Sequence, residues 1–203
     1  MKADGSVAVD PEVELTRLKL QKSFEGSVTL DGTEGEVTTI FLEYTAMLRA
    51  HADSGETFKP LESATLKTVA AFMNGREGGT LMIGVVDDGT IHGLDSDYAS
   101  PSKQDQDPRD WFQQHLSNII STSMGDAAAT NVRAQIHHVD GHDICRMQVD
   151  PSGFPVDATV IKQKPGGPKT TVTEFYVRNL NGTVPLDVVE KQKYIAQRWP
   201  SIL

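Results

Sequence analysis

An α+β fold, with a mostly antiparallel sheet and flanking helices, is predicted by three observations. Apolar residues recur at helical spacing in Leu66, Val69, Ala70, Phe72 and Met73, and a double glycine then leads into the apolar run Leu81-Met82-Ile83-Gly84-Val85-Val86. The dipeptides Asp88-Gly89 and Asp140-Gly141 each sit between strand-like segments, where tight hairpin turns belong. Two early helices, a hairpin, a further helix, several strands and a terminal helix follow one another in the order expected of an α+β chain.

Residues 1–36 carry the weakest pattern, although Ser27-Val28-Thr29-Leu30 before Asp31-Gly32 reads as a strand and a turn. The spacing of Ile40, Leu42, Tyr44, Met47 and Leu48 predicts a helix over about 37–51. The chain therefore divides into an N-terminal extension, 1–50, and a domain, 51–203. The central helix ends at Asn74-Gly75, two residues that tolerate the left-handed conformation of helix ends. Gly78-Gly79 then permits a sharp bend into a strand over 81–86 that is apolar on both faces and hence buried. Asp88-Gly89 turns the chain, and Ile91 and Leu94 carry the return strand.

After a polar loop, Trp111, Phe112, Leu116, Ile119 and Ile120 share one face of a helix over 108–124, with Pro108 suited to its first turn. Segments 132–139 and 144–149 make a second hairpin, and strands follow over 159–164 and 174–178 on either side of Pro165-Gly166-Gly167-Pro168. Asn181-Gly182 turns the chain once more, and residues 186–199 form the last helix.

With 203 residues, 38% of them hydrophobic and 23% charged, the composition is that of a globular protein with a real core. No apolar run approaches the roughly 18 residues of a membrane span, and the first residues lack the apolar centre of a secretory signal. A single cysteine, Cys145, leaves no internal disulfide and suits a reducing compartment, so the expected location is the cytoplasm. The net charge of -9 opposes broad coating of a duplex, which usually requires a basic surface, but leaves room for a local basic patch.

Such a patch is suggested by Lys162, Lys164 and Lys169 around the Pro-Gly loop, Arg178 at the end of the following strand, Lys59 in the segment leading into the central helix and Lys67 on that helix. The competing reading is an ordinary solvated loop, with Arg178 paired to an acidic residue near the hairpin. Tyr176 and Trp199 read as packing residues rather than base-stacking ones. His137, His138, His142 and Cys145 lack the ligand spacing of a zinc site, and neighbours on a strand face opposite ways.

The run Leu66-Lys67-Thr68-Val69-Ala70-Ala71-Phe72-Met73-Asn74, followed by Gly78-Gly79-Thr80-Leu81-Met82-Ile83-Gly84-Val85-Val86-Asp87-Asp88-Gly89 and then Ile91 and Gly93-Leu94, resembles the Schlafen AlbA_2 domain. The likeness extends over about 50–200, through Phe175-Tyr176-Val177-Arg178 and Arg198-Trp199. It implies a nucleic-acid-binding domain, for RNA or DNA, of a regulatory or defence protein. Nuclease members imply a second reading, an acidic cluster holding Mg²⁺ or Mn²⁺ to cleave RNA. That reading assigns Asp87 as a catalytic and metal-binding residue, with Glu56 as a further ligand and Asp53 as a third acid. The pattern normally ends in Glu-Phe-Lys before the central helix; here Thr57-Phe58-Lys59 stands at that place, with Asp53 and Glu56 each one residue from the acidic positions. A third reading is a degenerate domain serving homo-oligomerisation or protein interaction.

Overall fold

The computed structural model describes residues 42–48, 59–99, 106–163, 167–179 and 182–202. Its elements are β1 (Leu42–Thr45), α1 (Lys59–Asn74), β2 (Gly79–Ile83), α2 (Asp95–Tyr98), α3 (Pro108–Met124) and α4 (Asp126–Ala129). They are followed by β3 (Val132–Val139), β4 (His142–Val149), β5 (Asp157–Gln163), β6 (Lys169–Asn179), β7 (Gly182–Leu186), α5 (Val188–Arg198) and a 3₁₀ turn, Pro200–Ile202. The fold is α+β, and its strands divide between two sheets, ordered β1-β2-β4-β3 and β5-β6-β7. Every pairing is antiparallel except that of β1 with β2.

The predicted helix over 37–51 is corrected: residues 42–45 form a strand that runs parallel to β2, with Glu43 opposite Leu81 and Thr45 opposite Ile83. Tyr44 alternates with Glu43 and Thr45, a two-residue period, and its ring is buried with Met82, Val85, Val139 and Ile144 on the outer face of the first sheet. This sheet therefore takes in chain from before the predicted boundary at residue 51. The expected strand at 27–30 lies outside the described residues.

The central helix is enclosed more completely than its apolar stripe implies. Every residue over 69–74 is fully buried, as in a helix surrounded by structure rather than resting on it. The second sheet packs along α1 through Ala158, Val160 and Tyr176, while Leu81, Ile83, Cys145 and Met147 of the first sheet join the same core. The other face of the second sheet is covered by α5, where Phe175, Val177 and Trp199 pack with Tyr194 and Ile195.

Asn74 does not end α1 by a left-handed turn, because neither it nor Gly75 has positive φ. Its fully buried amide instead ties three elements together. Nδ2 donates to the carbonyls of Val156 (2.8 Å) and Tyr176 (2.9 Å), and Oδ1 accepts from Val156 N–H (2.9 Å). Both N–H donors and the oxygen of the buried side chain are thus directed at buried main chain.

The bend into β2 is set by contact with Phe72: a Cβ on Gly79 would lie 2.5 Å from Cδ1 of that ring. The strand stops at Ile83, earlier than predicted, because Gly84 has φ +88 and turns its carbonyl to accept from His92 and Gly93. Only a single bridge, Val85 to Ile91, remains of the expected return strand. The expected pair of positive-φ turn residues is present at Asp140-Gly141, whereas at Asp88-Gly89 only the glycine has positive φ.

Helix α3 has its predicted bounds, with Asp107 Oδ1 accepting from Arg109 N–H at 2.8 Å and Pro108 at the first helical position. Helix α5 begins two residues later than predicted, at a capping box in which Asp187 accepts from Glu190 N–H and Glu190 accepts from Asp187 N–H. The sequence reading missed β7 because Pro185 lies within it. As an edge strand of the β5-β6-β7 sheet it tolerates the missing N–H.

Candidate nucleic-acid interface

Alternation along β5 and β6 puts Lys162, Glu174, Tyr176 and Arg178 on the face of the second sheet that meets α1. Lys67 approaches this group from α1. Lys162 Nζ donates to Glu174 Oε1 at 2.7 Å, and the Tyr176 hydroxyl donates to the other carboxylate oxygen. Burial would raise the Glu174 pKa, but hydrogen bonds from Lys162 and Tyr176 and the charges of Lys162 and Lys67 hold it below its ordinary value. The Lys67 pKa is lowered, first by burial and then by the like charge of Lys162, with Glu174 partly opposing. Lys162 thus pairs directly with Glu174, while Lys67 lies near enough to feel both charges.

The remaining predicted cations are distributed differently. Lys59 is exposed at the first position of α1, about 12 Å along the axis from Lys67. Lys169 is exposed opposite Gln163, and alternation turns it to the α5 side of the sheet, away from Lys162. Lys164 lies outside the described residues. Arg178 is taken up internally: its Nη2 is 3.0 Å from Glu43 Oε2, its side chain is only 13% exposed, and its guanidinium lies over the Phe72 ring. Its charge is thus matched by Glu43 of the first sheet.

Among the acids, Asp87 is exposed on the turn after β2, while Asp53 and Glu56 lie outside the described residues. The strand that precedes α1 and flanks β2 carries Glu43-Tyr44-Thr45, so the Glu-aromatic-polar order occurs there rather than at residues 57–59. The alternation of Leu42 and Tyr44 with Glu43 and Thr45 is the signal that could have located it. Among the described residues no group of three or more His, Cys, Asp or Glu side chains could hold a metal ion. Glu43 is already neutralised by Arg178, so the described carboxylates do not by themselves fit a divalent ion.

A second polar cluster was not anticipated. Buried Asp143 accepts from Arg109 through Nε and Nη2, both at 2.7 Å, from the Tyr98 hydroxyl at 3.1 Å, and pairs with His138 Nδ1 at 2.9 Å. The hydrogen bonds from Arg109, opposed by burial and reinforced by His138 and Tyr98, bring its pKa down to about 2. Cys145, two residues along β4, is fully buried, and burial pushes its thiol up to about 12, an inert state.

A βαβ unit extended by antiparallel strands, with a second sheet closing over its helix, defines an α+β domain with Lys67 and Lys162 at the helix–sheet junction. The chain belongs to the Schlafen AlbA_2 family: the family described as Schlafen, AlbA_2 matches residues 39–187. Membership points to a nucleic-acid-related domain. The fold is similar to the crystal structure of the DIP2311 protein from Corynebacterium diphtheriae, with a TM-score of 0.50 and 17% identity. That match covers 93% of this chain and 33% of the other, so the chain spans about a third of its length. No curated protein matches. Among the described residues no helix is long and apolar enough to cross a membrane.

Proposed function

We propose that this domain binds nucleic acid, RNA or DNA, through the junction of α1 with the second sheet, as part of a regulatory or defence protein in the cytoplasm. The observation that carries this reading is the direct pairing of Lys162 with Glu174 on the sheet face that meets α1, with Lys67 of α1 within electrostatic range of both. Two cations beside one anion leave positive charge that a phosphate can satisfy. Lys59 extends the positive charge along α1. The net charge of -9 confines binding to such a patch, and contact with few phosphates goes with a shallow salt dependence. The test is fluorescence anisotropy with a labelled oligonucleotide. The double variant Lys67→Glu/Lys162→Glu should lose binding, and unchanged binding would reject the interface.

RNA cleavage is the second reading. It rests on the exposed carboxylate of Asp87, with Glu56 and Asp53 as its partners and Mg²⁺ or Mn²⁺ supplying charge stabilisation at the phosphate. It predicts Mn²⁺-dependent loss of structured RNA that disappears in Asp87→Ala; RNA left intact by the wild type would reject it. A degenerate domain that only self-associates would instead sediment as a homo-oligomer and leave oligonucleotide anisotropy unchanged.

A further inference from the structure

Between α1, α3 and β5 lies a cavity of about 400 Å³ whose lining includes Lys59 but neither Lys67 nor Lys162. Its floor is aliphatic, formed by Leu66, Ile119 and Val160. On one side stands the imidazole of His115, stacked on Trp111 with ring centroids 5.2 Å apart and planes 8° from parallel, and held by Glu62 at 2.9 Å. The His115 and Glu62 side chains are 20% and 12% exposed, so the imidazole plane is fixed from behind and from one edge. Asn118 and Thr122 of α3 supply an amide and a hydroxyl at the rim, and Lys59 stands at the start of α1.

We propose that this cavity receives one unpaired nucleobase. The reading rests on the nucleic-acid function proposed above and adds single-stranded substrate to it. The volume falls within the usual range of small-ligand sites, and an aliphatic floor with a few oriented polar groups is how such sites bind flat heterocycles. A base edge needs donor and acceptor together, which the Asn118 amide provides. Lys59 adds a cation for the attached phosphate. A base stacked and paired in a duplex cannot enter such a cavity unless it is flipped out, so a single strand or a free nucleotide supplies it.

The experiment compares wild type, Thr122→Phe and Asn118→Ala, each verified by thermal melting, against a short single-stranded oligonucleotide and the same strand with one abasic position scanned along it. Thr122→Phe fills the cavity from an exposed helix position, and Asn118→Ala removes the amide from another exposed position without filling space. Wild type should lose about tenfold in affinity at one abasic position. Thr122→Phe should bind the intact strand about tenfold more weakly and no longer register the missing base. Asn118→Ala should show a smaller loss of the same kind. Mononucleotides that compete as well as the strand would identify free nucleotide as the source of the base. Equal binding by all three proteins, with no abasic effect, overturns the cavity assignment. If Lys67→Glu/Lys162→Glu still abolishes binding in that case, the broader nucleic-acid reading survives. If wild type binds no oligonucleotide or nucleotide at all, both readings fail.

Discussion

Arg178 reaches from the second sheet to Glu43 on the first, Nη2 to Oε2 at 3.0 Å, with its guanidinium carbon 5.6 Å from the centre of the Phe72 ring. The two sheets share no strand, so this contact adds to the packing of α1 and α3 in holding them together. Arg178→Met should therefore cost about 2 kcal/mol, less than a fully buried pair because Glu43 is 35% exposed. Urea denaturation measures it, and the loss should shrink in the Glu43→Gln background. A variant as stable as wild type would return Arg178 to the list of surface cations.

Asn74→Ala removes a buried side chain that satisfies the carbonyl and N–H of Val156, just before β5, and the carbonyl of Tyr176 in β6. Leaving those main-chain groups buried without partners should cost about 3 kcal/mol. The fall in the denaturation midpoint reads this directly, and Asn74→Asp should be at least as destabilising, because a buried carboxylate can donate to neither carbonyl and would face both.

How much of this was legible from sequence depended on whether a segment's neighbours were local. The bounds of α3 followed from its apolar stripe and from Pro108, both local signals. At residues 42–45 the apolar spacing was compatible with either period, and pairing with β2 decided for strand. Strand β7 was hidden by Pro185, whose tolerance depends on an edge position that no local pattern shows. At the site, the lysines were recognisable as residues but not as a set. Only the alternation of β5 and β6 puts Lys162 beside Lys67, turns Lys169 to the opposite face and commits Arg178 to Glu43. The Asp143 cluster combines residues from three separate segments and left no local signature.

Gly79→Ala should destabilise by about 2 kcal/mol, because the added Cβ would stand 2.5 Å from Cδ1 of a fully buried ring. Combining it with Phe72→Leu should recover part of the loss by making room, and a double-mutant cycle in denaturant checks the coupling. Strictly additive losses would mean that the two residues do not meet.

Asp143 should make stability acid-sensitive. Its carboxyl is more acidic in the folded chain, about 2 against 3.8. The stabilisation is therefore complete above about pH 4 and fades as the pH falls towards about 2. Asp143→Asn should cost on the order of 2 kcal/mol at neutral pH, and the gap from wild type should close by about pH 2. Melting curves at a series of pH values measure this; a constant gap would show that the charge of Asp143 contributes nothing.

The most direct test of the lysine junction as a nucleic-acid site is the affinity of wild type and Lys67→Glu/Lys162→Glu for a labelled single strand, measured across a salt series. Wild type should bind at low salt with log affinity falling linearly in log salt, and the double variant should bind far more weakly with a slope shallower by about 2. Equal affinities and equal slopes, or no binding by wild type at the lowest salt, would contradict it.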